Sequence, residues 1–351
     1  MQRKTILLLF GGESSEHEVS ISSARNVFAA IDDEKYDVVL GYIDAAGEWW
    51  RLDVFDEIID TDGLQQLLPA LGQQGFVTLP NQTIVKPDVI LPILHGKNGE
   101  DGSVQGLAQL LHIPIVGCDI TASAVGMDKI KTKEVLAAHH INVVPYEVHH
   151  ASDEIPEFHK LSMTLGSPMF VKPARSGSSV GVSKVYSEDE LVAALAIAHQ
   201  HSDSVLIEQA IAARELEIAV IGTPPKHHVS AVGEIITGAD FYSYDDKYND
   251  GTSRVQIPAD IDMSLATRIQ AQAGRIYELL GCKGLSRIDF FWSDDKVLYL
   301  NEINTMPGFT NISMYPKLWR HEGVTYSDLI EQLIVDALPD ATIESDYLEE
   351  D

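Results

Sequence analysis

At 351 residues the chain exceeds what one hydrophobic core organises, so two or three domains are expected, and 45% hydrophobic residues supply their cores. Lysine and arginine number 25 against 53 Asp and Glu, and the net charge of −28 argues against nucleic acid or an anionic membrane as a partner. Two cysteines cannot build a disulfide framework, and no signal peptide or membrane-length apolar run is visible, so a soluble, cytoplasmic protein is expected.

From Thr5 to about Ala122 strand and helix patterns alternate: Thr5 to Phe10, a helix from about Glu18, then Val38 to Ile43, Val89 to Leu94 and Pro114 to Val116. This predicts an open, mostly parallel α/β layer in which ligands sit beyond the strand C-termini. Two polar loops fall at that place, Gly11 to Glu18 and His95 to Gly102. Neither is a GxGxxG or Walker loop, so the first reads either as a helix-capping turn or as a binding loop. The second reads as a glycine-rich turn whose His95 is either a surface histidine or part of a site.

Helical spacing resumes at Met127-Asp128-Lys129, with Asp128 a plausible cap, and a second α/β unit runs to about Arg214. It holds the strand Met169 to Pro173, a Gly/Ser-rich segment from Ala174 to Gly181, and a strand from Val182. Glycine permits close backbone approach and positive φ, so the segment reads as a phosphate-covering flap or as an ordinary hairpin loop. Lys172 stands at its edge, and Glu208 ends the apolar run Val205 to Gln209, where it could meet an adenine edge. A third block carries strands Leu216 to Ile221 and Val229 to Ile236, then a polar, tyrosine-rich loop over 237–256 that predicts a lid.

Near the end, Arg287 to Trp292 and Lys296 to Leu300 read as the strands of an antiparallel hairpin joined through Ser293-Asp294-Asp295. Residues two apart share a face, so Arg287 and Asp289 point one way together, as do Glu302 and Asn304. Carboxylate, carboxylate and amide suit Mg²⁺, which takes oxygen ligands and completes its shell from water and phosphates. The bland alternative is a solvated face with a surface ion pair.

Met127-Asp128-Lys129, the flap, the Tyr-rich loop, Arg287-Ile-Asp289 and Asn301 to Thr310 match one family in order. Over essentially its whole length the chain resembles the D-alanine:D-alanine ligases of the ATP-grasp superfamily. The resemblance implies three domains, at 1–122, 123–213 and 214–351, with ATP held between the last two. It implies ligation of two D-alanine molecules through an acyl phosphate, with ATP and two Mg²⁺ ions (Mn²⁺ as a substitute), in a homodimer. Asp289, Glu302 and Asn304 match the family's metal ligands, and Lys129, Lys172 and Lys247 its phosphate-contacting lysines. Glu208, Glu215, Phe170 and Phe241 match the adenine and ribose pocket, although core packing also explains the two phenylalanines. Arg287 and the Gly308 backbone N–H match its oxyanion donors, and Ser313 its contact to the second D-alanine's carboxylate. Glu16 matches the anion for the first D-alanine's ammonium, linked to Ser178 and Tyr248, with His95 near the same substrate. Tyr248 within Asp246-Lys247-Tyr248 is the form of D-alanine-adding relatives and predicts amide formation. An ATP-binding module of this fold that no longer ligates is the alternative of a different class.

Overall fold

The computed structural model describes residues 3–236, 254–310 and 312–338. The first sheet has seven strands in the order β6-β5-β4-β3-β2-β1-β7. They are β1 (Lys4–Gly11), β2 (Tyr36–Ile43), β3 (Trp49–Leu52), β4 (Gln65–Ala70), β5 (Gly75–Leu79), β6 (Ile84–Val85) and β7 (Val89–Ile93). The expected parallel layer is its core, where β1 pairs in parallel with β2 and β7. Between Trp49 and Val85 the chain adds four antiparallel strands, because connections of a few residues, such as 71–74 and 80–83, can only return it alongside itself. β1 is buried on both faces, which is why Ile6 to Phe10 is continuously apolar rather than alternating. Helices α1 (His17–Ala30) and α2 (Ser103–Leu111) follow β1 and β7.

Helix α3 (Ile120–Met127) spans the expected 122/123 boundary and leads into α4 (Lys129–Ala138). Asp128 caps α4 as expected, its carboxylate accepting from the N–H groups of Ile130 and Lys131. The second sheet, order β10-β9-β11-β8, is antiparallel: β8 (Tyr146–His150), β9 (Met169–Pro173), β10 (Ser183–Val185) and β11 (Ser204–Gln209). Helices α5 (Phe158–Leu165) and α6 (Glu188–Ala198) pack with it into a core of its own.

The third sheet is also antiparallel, order β14-β13-β12-β15-β16: β12 (Ala213–Thr223), β13 (Lys226–Ile236), β14 (Arg254–Gln256), β15 (Leu285–Ser293) and β16 (Leu298–Asn304). Of the expected lid over 237–256, Arg254–Gln256 is a strand paired with β13; Phe241, Lys247 and Tyr248 lie outside the described residues. Helices α7 (Met263–Leu279), α8 (Met314–His321) and α9 (Tyr326–Ala337) complete the chain. The largest core does not follow sequence order, since Ile6, Leu8 and Leu91 of the first sheet cluster with Leu285, Tyr315 and Ile330. Likewise α3 and α4 bury Ala122 and Leu136 against Ile288 and Leu300 of the third sheet. Among the described residues no helix is long and apolar enough to cross a membrane.

Candidate active site

The hairpin β15–β16 adopts the register that its alternation predicts: Asp289 stands opposite Glu302, and Arg287 opposite Asn304. On the other side β12 sets Glu217 opposite Asp289, so three carboxylates occupy one rung across three strands. Past that rung the partners step from Glu302 to Leu300, a bulge at Asn301. Arg287 answers the rung from its neighbour. Its Nε and Nη2 donate to the two oxygens of Asp289 at 2.8 and 2.7 Å, and Nε lies 3.0 Å from Glu217 Oε2. Burial works against the guanidinium charge, but Asp289 and Glu217 outweigh it and hold the group protonated. Glu217 was not among the residues read from sequence; the spacing of Glu215-Leu216-Glu217 on a strand was the available signal.

Asn304 Nδ2 donates to Asp289 Oδ2 at 3.0 Å and Glu302 stands opposite Asp289, so the three expected ligands occupy neighbouring positions on the hairpin. Among the described residues no three His, Cys, Asp or Glu side chains converge as a self-sufficient metal cage. Asp289 and Glu302 therefore fit an ion that takes an amide oxygen from Asn304 and the rest of its shell from phosphates and water, which is the habit of Mg²⁺.

The flap between β9 and β10 reaches across to the first sheet. Ser178 Oγ donates to Glu16 Oε1, joining flap to first loop. Ser178 and Ser179 hold φ of 48° and 59°, a left-handed conformation that side-chain-bearing residues seldom adopt. Lys129 ties the flap's other end, donating from Nζ to the Ser176 carbonyl at 2.7 Å and standing 3.8 Å from Glu302. Arg175, given no role from sequence, pairs with Asp128 at 2.8 Å and so fixes the flap's base to the α4 cap.

His95 is buried rather than at the surface. Its Nδ1 donates to the Met306 carbonyl at 3.0 Å, which leaves Nε2 to accept from Ser23 Oγ at 3.2 Å, and burial pushes its pKa down. Glu100 joins the same loop to the same segment, accepting from the N–H groups of Gly96 at 2.8 Å and Met306 at 3.0 Å. Burial, reinforced by the Glu16 charge, pushes its carboxyl up to about 8. A Cβ at Gly308 would stand 2.9 Å from Ser313 Oγ, so a side chain there would push that hydroxyl out of place. That hydroxyl accepts from Thr310 N–H at 3.1 Å at the start of α8.

Glu208 lines the large cavity, and its carboxylate is clasped between Lys133 Nζ at 2.9 Å and Lys172 Nζ at 2.6 Å. The Lys172 ammonium, matched to phosphate, therefore rests on Glu208 here. It also lies 5.7 Å from the Phe170 ring centroid.

Two cavities share this machinery. The larger, about 600 Å³, is lined by Lys129, Phe170, Lys172, Glu208, Glu215, Asp289 and Glu302, among others. The smaller, about 140 Å³, is lined by Glu16, His95, Glu100, Asn304, Gly308 and Ser313. Ser178, Glu217, Arg287 and Glu302 line both, so a cofactor-sized chamber opens onto a small polar one at Arg287.

Residues 5–118 match the family model of the D-ala D-ala ligase N-terminus, and residues 135–335 that of the D-ala D-ala ligase C-terminus. The chain belongs to the D-ala D-ala ligase family. The enzyme is 41% identical to D-alanine--D-alanine ligase A of Escherichia coli K12, with 96% of each chain covered. It is 42% identical to the D-alanine--D-alanine ligase of Oceanobacillus iheyensis, covering 95% of this chain and 94% of that one. Among solved structures it resembles the VanG D-Ala:D-Ser ligase of Enterococcus faecalis, with a TM-score of 0.87 and 36% identity over 96% of this chain and all 100% of that one. The D-alanine-D-alanine ligase of Coxiella burnetii gives a TM-score of 0.86 and 33% identity, covering 96% of this chain and 94% of that one. The fold is accordingly ATP-grasp, and the protein an ADP-forming ligase of a family that uses ATP and a divalent metal.

Proposed function

We propose that the protein joins two molecules of D-alanine into D-alanyl-D-alanine for peptidoglycan precursors, cleaving ATP to ADP and phosphate. The observation that carries this is the pair of cavities meeting at Arg287, one fit for a nucleotide and one for small amino acids. ATP lies in the larger, its base and ribose against Phe170, Glu208 and Glu215 and its phosphates near Lys129 and Lys172, compact cations on flexible stems. Asp289, Glu302 and Asn304 would hold two Mg²⁺ ions, or Mn²⁺ in their place, which when bound would neutralise and orient the transferring phosphoryl group.

In the smaller cavity Glu16 takes the ammonium of the first D-alanine, beside His95, and Ser178 holds the flap over it. A carboxylate oxygen of that D-alanine attacks the γ-phosphorus and ADP leaves, giving an acyl phosphate. Ser313 holds the carboxylate of the second D-alanine, whose amine, once it has lost a proton, attacks the acyl carbon. Arg287 and the Gly308 N–H stabilise the oxyanion so formed, and its collapse forms the amide and expels phosphate. The closed flap excludes water that would otherwise hydrolyse the acyl phosphate. The protein acts as a homodimer in the cytoplasm; its two cysteines, free and buried, suit a reducing compartment.

ATP-dependent phosphate release, measured with D-alanine alone and with D-serine or D-lactate as the competing second substrate, tests the reaction. D-serine belongs in the comparison because a D-Ala:D-Ser ligase shares the fold at a TM-score of 0.87. Amide product from D-alanine and loss of turnover on chelation are expected; preferential incorporation of D-serine or D-lactate at neutral pH overturns the substrate assignment.

A further inference from the structure

Among the buried charged residues to which the proposed reaction gives no task is Lys133. Lys133 has a side chain only 2% exposed, and its Nζ lies 2.9 Å from Glu208 Oε1 while Lys172 Nζ lies 2.6 Å from Oε2. The three groups come from α4, β11 and β9, so the contact is tertiary. On the sheet, Leu206 stands opposite Lys172 and Glu208 opposite Phe170, which makes Lys172 and Glu208 diagonal neighbours on one face. On α4, Lys133 follows Lys129 by four residues and shares its face. Lys133 also stands 3.4 Å from the Val144 carbonyl and 5.4 Å from the Tyr146 ring centroid. Lys172, Glu208 and Val144 line the large cavity and Lys133 does not, so Lys133 acts on a ligand through the neighbours it holds, of which Glu208 is the charged one.

The Lys172 ammonium has three N–H donors and can reach a phosphate while still touching Glu208, but a close phosphate contact draws it away from the carboxylate. Breaking a buried ion pair is expensive mainly because the abandoned partner remains as an uncompensated charge. With two lysines on one carboxylate, departure of the first strands nothing. We infer that Lys133 is a positioning residue for the nucleotide: it keeps Glu208 paired after Lys172 turns to the phosphates, making the phosphate-binding lysine exchangeable instead of locked. This role rests on Lys172 being a phosphate contact. Against burial, the two lysines together hold the Glu208 carboxyl down at about 2, so it is a carboxylate while both are paired to it.

Equilibrium binding of ATP and of adenosine to the full-length protein separates this from ordinary packing, because adenosine carries no phosphate. Lys133→Met is expected to shrink the ATP-over-adenosine affinity ratio about tenfold, leaving adenosine binding as in the wild type. Lys133→Arg keeps the charge and is expected to retain most of the ratio. Equal losses for both ligands, or an unchanged ratio, would overturn the inference. Where Lys133→Met folds poorly, Lys133→Met with Glu208→Gln serves, since it removes the carboxylate that would be stranded. Measured against adenosine, that double variant is expected to return the ratio towards wild type, and a ratio still about tenfold below wild type sinks the idea. Lys172→Met distinguishes the two failures. If it leaves the ratio intact, the reading of Lys172 is wrong; if it collapses the ratio while Lys133→Met does not, only the role of Lys133 falls.

Discussion

In the proposed reaction Arg287 has a central place, where one planar fork serves Asp289 through two hydrogen bonds while standing 3.0 Å from Glu217. Lysine would keep the charge and lose the fork. Arg287→Lys is therefore expected to lower kcat about 10²- to 10³-fold, the range for losing one oxyanion donor, with circular dichroism unchanged. Arg287→Met also leaves the carboxylates without their counter-charge, so both turnover and melting temperature should drop. Glu100 makes a pH prediction with a definite sign. Its carboxyl is raised from 4.5 to about 8 by burial and by the Glu16 charge. Between those values the unfolded chain has released a proton that the folded protein keeps, so this contribution is full below 4.5 and is lost as pH rises through about 8. The melting-temperature advantage of the wild type over Glu100→Gln should shrink over that window and then level off; an advantage that grows with pH contradicts the assignment.

At the scale of elements, the hairpin β15–β16 was legible and the flap only partly so. Strand alternation fixes which side chains share a face, and the register Asp289 to Glu302 and Arg287 to Asn304 follows from it. For the flap, sequence shows glycines and serines but not which of them carry strain. The structure puts Gly181 at φ +76°, where a Cβ would come within 2.7 Å of His201 Cδ2 and 2.8 Å of Pro173 Cγ. Gly181→Ala should therefore cost about 1–2 kcal/mol from the left-handed backbone alone, read as a lower denaturant midpoint. If the midpoint is unchanged, the flap's base is not held in this conformation. Helix α4 gave a different lesson. In sequence only the resemblance singled out Lys129 and nothing singled out Lys133, yet Lys133 is buried against β11 and Lys129 spans flap and hairpin.

For the whole molecule, core sharing decides what unfolds with what. The first sheet, β12, β15 and α9 share one core, whereas the central antiparallel sheet packs with α5 and α6 into its own. Native-state hydrogen exchange is expected to show the central block opening as a unit of lower stability, with the amides of β1 and β12 exchanging together at the highest protection. Separate opening of β1 and β12 would show that the shared core does not couple them.

The apolar runs, the strand period of two, the Asp128 cap and the matching order of motifs determined the fold class, the hairpin site and the family, because each is written in neighbouring residues. Only the tertiary structure decided that the first sheet keeps one core to itself and shares another with the C-terminal block, that Glu217 completes a rung with Asp289 and Glu302, that His95 is buried, and that Glu208 lies between two lysines. A charged side chain carries no mark of its burial or its partner in its own segment: those are set by which distant element packs over it, and that packing is where an ordinary lysine such as Lys133 acquires its role.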